Sequence, residues 1–257
     1  MKRLIFALYA VSAPVGANAQ ASAWQPSRGN TQIMIWPGQA PDAQPAMGPE
    51  ETRTTGPTEL VAGRPWTYVG KVSQPTMTVY APKGQNTGVA VVVFPGGGYQ
   101  ILAIDLEGTE VCDWLTSKGI TCVLLKYRVP GVDLSPKSGA YPKSPMALED
   151  AQRTVGLVRF HAAEWHIDPH KLGVLGFSAG GHLVAAISTH FDKRLYAARD
   201  SADRESCRPD FAVALYPGHM LENTSRAFEL NPALPVTGRT PPTFLLQAED
   251  DSQQEKR

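Results

Sequence analysis

The chain has 257 residues, of which 42% are apolar and 19% charged, with 24 basic residues against 24 acidic ones. That is ordinary globular composition, enough for one large domain or two small ones. The balanced charge excludes nucleic acid or an anionic membrane surface as the main partner.

At the N-terminus Lys2 and Arg3 precede the apolar stretch LIFALYAVSA, and Ala17-Asn18-Ala19 fits the small-x-small cleavage rule. Residues 1–19 read as a secretory signal peptide removed before Gln20. The apolar run is short for a bilayer span and is interrupted by Pro14 and Gly16. Removal takes two basic residues and no acidic ones, so the mature chain carries a formal charge of −2. The expected location is the periplasm or the cell exterior, with no membrane partner.

Residues 20–75 hold eight prolines, with Trp24, Trp36 and Trp66 scattered among them. So many prolines argue against regular helix or central strand. The stretch is expected to wrap the domain as irregular lead-in, anchored by its tryptophans. From residue 76 to 257 the pattern changes to alternating apolar strands and amphipathic helices. MTVYA (77–81) and GVAVVVF (88–94) read as strands, the second fully buried. PGGGY (95–99) breaks the run, a helix follows over Glu107–Lys118, and ITCVLLKYRV (120–129) is the next strand.

Pro130–Ser144 is a loop by composition. A long helix over Met146–His166 follows, with Leu148, Ala151, Val155 and Val158 marking its buried face. KLGVLGF (171–177) is a strand and AGGHLVAAIST (179–189) a helix, and FAVALYP (211–217) and PTFLLQA (242–248) are later strands. Alternation of this kind predicts an α/β fold with a mostly parallel sheet and helices on both faces. Oxidising surroundings would allow one disulfide and one leftover thiol among Cys112, Cys122 and Cys207, but Cys112 and Cys122 fall on a helix and the strand after it, so the plainer reading makes both small buried apolar side chains. No metal-ligand spacing occurs and no cofactor is expected.

The chemistry centres on Gly176-Phe177-Ser178-Ala179-Gly180. A Gly-x-Ser-x-Gly pattern is weak alone, but here a strand enters it and a helix leaves it, the context of a nucleophile elbow. The small residues leave room for a sharp turn that exposes the Ser178 hydroxyl above the sheet. The helix beginning there aims unpaired backbone N–H groups at the same spot. Upstream, FPGGGY follows another apolar strand, and its glycines let backbone approach a ligand closely. The N–H groups of Gly97, Gly98 and Ala179 are the expected oxyanion hole.

With these motifs in place the chain resembles the α/β-hydrolase-fold esterases, in the branch of acetyl xylan esterases and xylanase-associated esterases. The stretches that carry the resemblance are IWPGQAP, FPGGGY, LAIDLEGTEV, KYRVP, ALEDAQRTV, GFSAGGHL, YPG and PPTFLLQAEDD, from Ile35 to Asp251. It implies a Ser-Asp-His triad in that chain order, with Ser178 as nucleophile and Asp251 as acid; Asp250, its neighbour, is the fallback. The implied substrate is a small ester or acetylated carbohydrate. A general short-chain carboxylesterase, an amidase or peptidase, and a silent ligand-binding relative remain open as alternatives.

The resemblance also implies a histidine some tens of residues past the aspartate, after one further strand. The six histidines of this sequence, His161, His166, His170, His182, His190 and His219, all precede Asp251. The expectation is an esterase that has lost its last strand and histidine loop. His219 is the plausible stand-in, because it follows a strand at the carboxyl edge of the sheet, where sites form in open α/β folds. Tyr99 and the three lead-in tryptophans could stack on sugar, but buried packing is the plainer role for each.

Overall fold

The structure is a computed structural model that describes residues 23–43, 48–129, 144–221 and 230–249. The leader read at 1–19, nearly all of the 130–144 loop and both candidate acids, Asp250 and Asp251, lie outside the described residues.

In chain order the strands are β1 (Gln32–Met34), β2 (Glu51–Thr54), β3 (Thr67–Gly70), β4 (Thr76–Tyr80), β5 (Ala90–Phe94) and β6 (Ile101–Leu102). Helix α1 (Glu110–Ser117), β7 (Thr121–Lys126), α2 (Pro145–Phe160), β8 (Leu172–Phe177), α3 (Ala179–Thr189), β9 (Phe211–Leu215) and β10 (Thr243–Leu246) complete the described elements. A seven-stranded sheet runs β1-β4-β7-β5-β8-β9-β10. Its members β7, β5, β8, β9 and β10 are mutually parallel, and β4 and β1 add antiparallel at one edge. Helix α1 packs on β7, α3 on β5, β8 and β9, and α2 against α3. This is the α/β-hydrolase architecture.

The central strands form where they do because they are apolar on both faces. AVVVF in β5 and TCVLLK in β7 are buried at every position, as a strand covered on both sides must be. Phe94, Leu124, Leu125, Leu172, Leu183 and Ile187 are fully buried where sheet and helices meet. At the other edge β10 shows Phe244, Leu245 and Leu246 more than half exposed.

The lead-in is more ordered than its prolines predict. β1 extends the main sheet by pairing with β4, and β2, β3 and β6 form a small antiparallel sheet of their own. The strands are short and lie between the prolines, which is how a proline-rich segment can still pair. Buried charge fastens this segment. Trp36 donates from Nε1 to Asp150 at 2.8 Å, Arg128 donates from Nη1 to the Pro41 carbonyl at 2.5 Å, and Arg153 donates from Nε to the Ile35 carbonyl at 2.8 Å. Of the tryptophans, Trp36 is buried, whereas Trp24 and Trp66 are only partly so.

Three further expectations are corrected. The helix predicted from Glu107 begins as a π-helical turn over Asp105–Thr109, with α1 proper starting at Glu110. The helix predicted to reach His166 ends at Phe160. The chain has to reverse there so that Ile167 returns to the core and the Asp168 N–H reaches the Gly88 carbonyl at 2.8 Å, which seats β8 beside β5. Cys112 and Cys122 are not merely apolar filler, since they form a disulfide. Helix α1 folds back onto the strand that follows it, bringing their Cα atoms to 5.2 Å, within bridging distance. Cys207 is free and buried, its thiol donating to the Phe191 carbonyl at 3.3 Å. Among the described residues no helix is long and apolar enough to cross a membrane.

Candidate active site

Ser178 joins β8 to α3 with φ 51° and ψ −116°, a conformation that a residue with a Cβ adopts only under strain, at a cost of roughly 1–3 kcal/mol. The surroundings enforce it. Its N–H donates to the Leu215 carbonyl at 3.0 Å, and its own carbonyl accepts from the N–H groups of His182 (3.0 Å) and Gly218 (3.1 Å). Two glycines make the turn sterically possible. A methyl on Gly176 would lie 2.2 Å from the Gly180 carbonyl oxygen, and one on Gly180 would lie 2.0 Å from that of Phe94.

The glycine loop after β5 meets the serine turn at Gly96. A Cβ there would stand 3.0 Å from Ser178 Cβ and 2.7 Å from the Phe177 carbonyl oxygen. The loop is pinned on several sides. Tyr127 donates its hydroxyl to the Pro95 carbonyl (2.5 Å), Ala103 N–H bonds the Gly96 carbonyl (3.0 Å), and Gln100 and Ile101 N–H bond that of Gly97 (3.0 and 3.1 Å). Burial pushes the Tyr127 phenol well above its ordinary pKa, so it remains a donor. Among the described residues, no protein acceptor takes the Gly97 or Gly98 N–H. Both are therefore available to a ligand. Ala179 opens α3 directly after Ser178.

Glu107 joins the site although no sequence motif singles it out. Its Oε2 accepts from the Gly96 N–H at 2.6 Å, and its Oε1 accepts from the Tyr216 hydroxyl at 2.6 Å. Burial raises the Glu107 carboxyl above its ordinary range, against the opposing pull of these two hydrogen bonds. The signal available in the sequence was an acid set in the apolar run ILAIDLEG, directly after the glycine loop.

Tyr99 lies partly buried in the same loop, with its hydroxyl 2.6 Å from His182 Nδ1. His182 is buried, and its ring meets those of Tyr99 and His219 edge-on. His219 follows Gly218, whose N–H holds the Ser178 carbonyl, and takes a positive φ of 57°. The structure thus brings Ser178, Gly97, Gly98, Ala179 and His219 to one end of the sheet. His161, His166 and His170 lie at or beyond the end of α2, before β8 begins, and His190 caps the far end of α3. Strand β10 ends level with the serine turn, because Leu246 pairs with Leu215 and Leu215 with Phe177.

A family model described as BD-FAE matches residues 77–217, which take in the glycine loop, the Glu107 turn and the serine elbow. The chain belongs to the BD-FAE family. The match, with the relatives that follow, sets the chain beside the acetyl xylan esterase branch of the α/β-hydrolase fold. It is 33% identical over 141 residues to an acetylxylan esterase of Xylanibacter ruminicola, covering 55% of this chain and 25% of that protein. It is 29% identical over 178 residues to endo-1,4-beta-xylanase B of Butyrivibrio fibrisolvens, covering 63% of this chain and 27% of that one. The chain spans about a quarter of the length of these two curated relatives. The crystal structure of an acetyl ester-xyloside bifunctional hydrolase from Caldicellulosiruptor lactoaceticus superposes with a TM-score of 0.58 at 31% identity, over 84% of this chain and 73% of that one.

Proposed function

We propose that this BD-FAE chain is a serine esterase in which Ser178 attacks the ester carbonyl. The observation that carries the reading is the strained Ser178 turn facing a loop with two N–H groups that no acceptor among the described residues takes. A hydroxyl held in that turn stands clear of the sheet, where a substrate carbonyl can reach it. As Oγ adds, the carbonyl oxygen becomes negative, and the N–H groups of Gly97, Gly98 and Ala179 stabilise it. An imidazole takes the serine proton and returns it to the leaving alcohol; water then releases the acid from the acyl-enzyme. Asp251 is the acid that the family resemblance implies, and His219, beside the elbow, is the histidine of this sequence to test as base.

Relatives described as an acetylxylan esterase and an acetyl ester-xyloside hydrolase favour acetyl esters of xylan-type carbohydrate as substrates. A periplasmic or secreted location follows from the leader read at residues 1–19, and the Cys112–Cys122 bridge suits an oxidising compartment. The experiment is hydrolysis of 4-nitrophenyl acetate, and acetate release from acetylated xylan, by residues 20–257 beside the Ser178→Ala and His219→Ala variants. Equal rates for the parent and Ser178→Ala would end the esterase reading. Turnover of the nitrophenyl ester but not of xylan would leave a general short-chain carboxylesterase.

A further inference from the structure

Ser178 and the glycine loop come from different parts of the chain, and an oxyanion hole works only if the distance between them is held. The backbone on either side of the elbow is fixed by the end of β9 and the residues after it, since Leu215 accepts from the Ser178 N–H and Gly218 donates to its carbonyl. Tyr216 lies inside that segment at φ 35°, and its hydroxyl donates to Glu107. The other oxygen of the same carboxyl accepts from Gly96, the residue before Gly97 and Gly98. The Glu107 side chain thus bonds both to the glycine loop and to the segment gripping Ser178.

We propose that Glu107, bridging Gly96 and Tyr216, is a positioning residue that sets the spacing between the oxyanion-hole loop and the Ser178 turn. This rests on Ser178 being the nucleophile. The Glu107 carboxyl need not touch substrate. It acts by aiming the Gly97 and Gly98 N–H groups at the oxygen that becomes charged, so its loss is felt in the chemical step rather than in substrate binding. Both donors to Glu107 are neutral, and burial raises its pKa against their pull. Gly96 cannot carry a side chain here, because a Cβ would lie 2.7 Å from Glu107 Oε2.

The test compares kcat, KM and melting temperature for the parent, Ser178→Ala, Glu107→Ala, Glu107→Gln and Tyr216→Phe on 4-nitrophenyl acetate. Glu107→Ala is expected to lower kcat about 100-fold with KM changed less than about threefold, the size of a misplaced oxyanion donor. Glu107→Gln keeps an acceptor for Gly96 and should recover most of that loss. Tyr216→Phe, at a partly exposed position that tolerates losing a hydroxyl, should lower kcat about tenfold at an unchanged melting temperature. If Tyr216→Phe and a folded Glu107→Ala both keep kcat within threefold of the parent, or if their losses appear in KM alone, the proposal is wrong. If Glu107→Ala does not fold, Tyr216→Phe and Glu107→Gln decide. A Ser178→Ala variant as fast as the parent would overturn the nucleophile reading instead, which separates the two failures.

Discussion

Asp150 and Glu107 both take a carboxyl out of water, but they keep different company. Asp150 is wholly buried and accepts from Trp36 Nε1 and from the Arg128 backbone N–H and Nε, and Arg128 also bonds Glu149 at 2.8 Å. Glu107 is partly buried, and among the described residues its partners are the neutral Gly96 N–H and Tyr216 hydroxyl. The first arrangement fastens the lead-in to α2, because breaking a buried ion pair strands a charge. The second orients a loop beside Ser178 without placing a fixed cation there. One region stores stability and the other stores geometry, and substitutions in each should fail in different ways.

The largest expected effect lies in the serine region. Ser178→Ala should cut turnover by roughly 10⁴-fold or more while leaving the urea midpoint within error of the parent. An unfolding shift comparable to the activity loss would break the contrast. In the ion-pair region the reverse holds. Asp150→Ala should cost about 3–5 kcal/mol by urea unfolding, with activity retained by whatever fraction stays folded. Replacing Cys112 and Cys122 together by alanine should remove about 2–3 kcal/mol, since a short closed loop restrains the unfolded chain modestly. That pair lies on α1 and β7, so kcat at a temperature where the variant is folded should not move.

The smallest effect is a pH dependence. Burial pushes the Glu149 carboxyl up to about 7, against the pull of Arg128, and the neighbouring Asp42 adds to the rise. The unfolded chain releases this proton near the ordinary 4.5, so folding binds a proton between the two values. Stability from this group is therefore present below pH 4.5 and falls as pH rises to about 7. Glu149→Gln should flatten that decline in urea titrations taken at pH 5 and pH 8. A parent and variant with parallel profiles would show that Glu149 is ionised throughout, held by its share of Arg128.

Much of the architecture was legible in the residues. β5, β7 and β8 follow from unbroken apolar runs, and α3 runs from Ala179 to Thr189 as its helix-forming residues predict. The turn at Ser178 and the glycine loop at Gly97 and Gly98 could be located because glycine patterns at strand ends report local backbone demands. The strands of the lead-in were not legible. Their pairing partners, β4 and the β3–β6 ribbon, are brought to them by the tertiary fold, while their own prolines argue the other way. The end of α2 was missed for a similar reason, since the turn after Phe160 answers a contact at Gly88, far away in the chain.

By itself, then, the sequence determined the α/β class, the elbow and the glycine loop, because each is written in neighbouring residues whose backbone needs are local. Only the tertiary structure decided that Cys112 meets Cys122, that Arg128 and Arg153 grip the lead-in, and that Glu107 stands between Gly96 and Tyr216. Those partners lie up to 118 residues apart, and no local periodicity encodes which of many polar side chains will meet. Burial makes that choice, because a polar group taken from water must find whichever partner the fold places within reach.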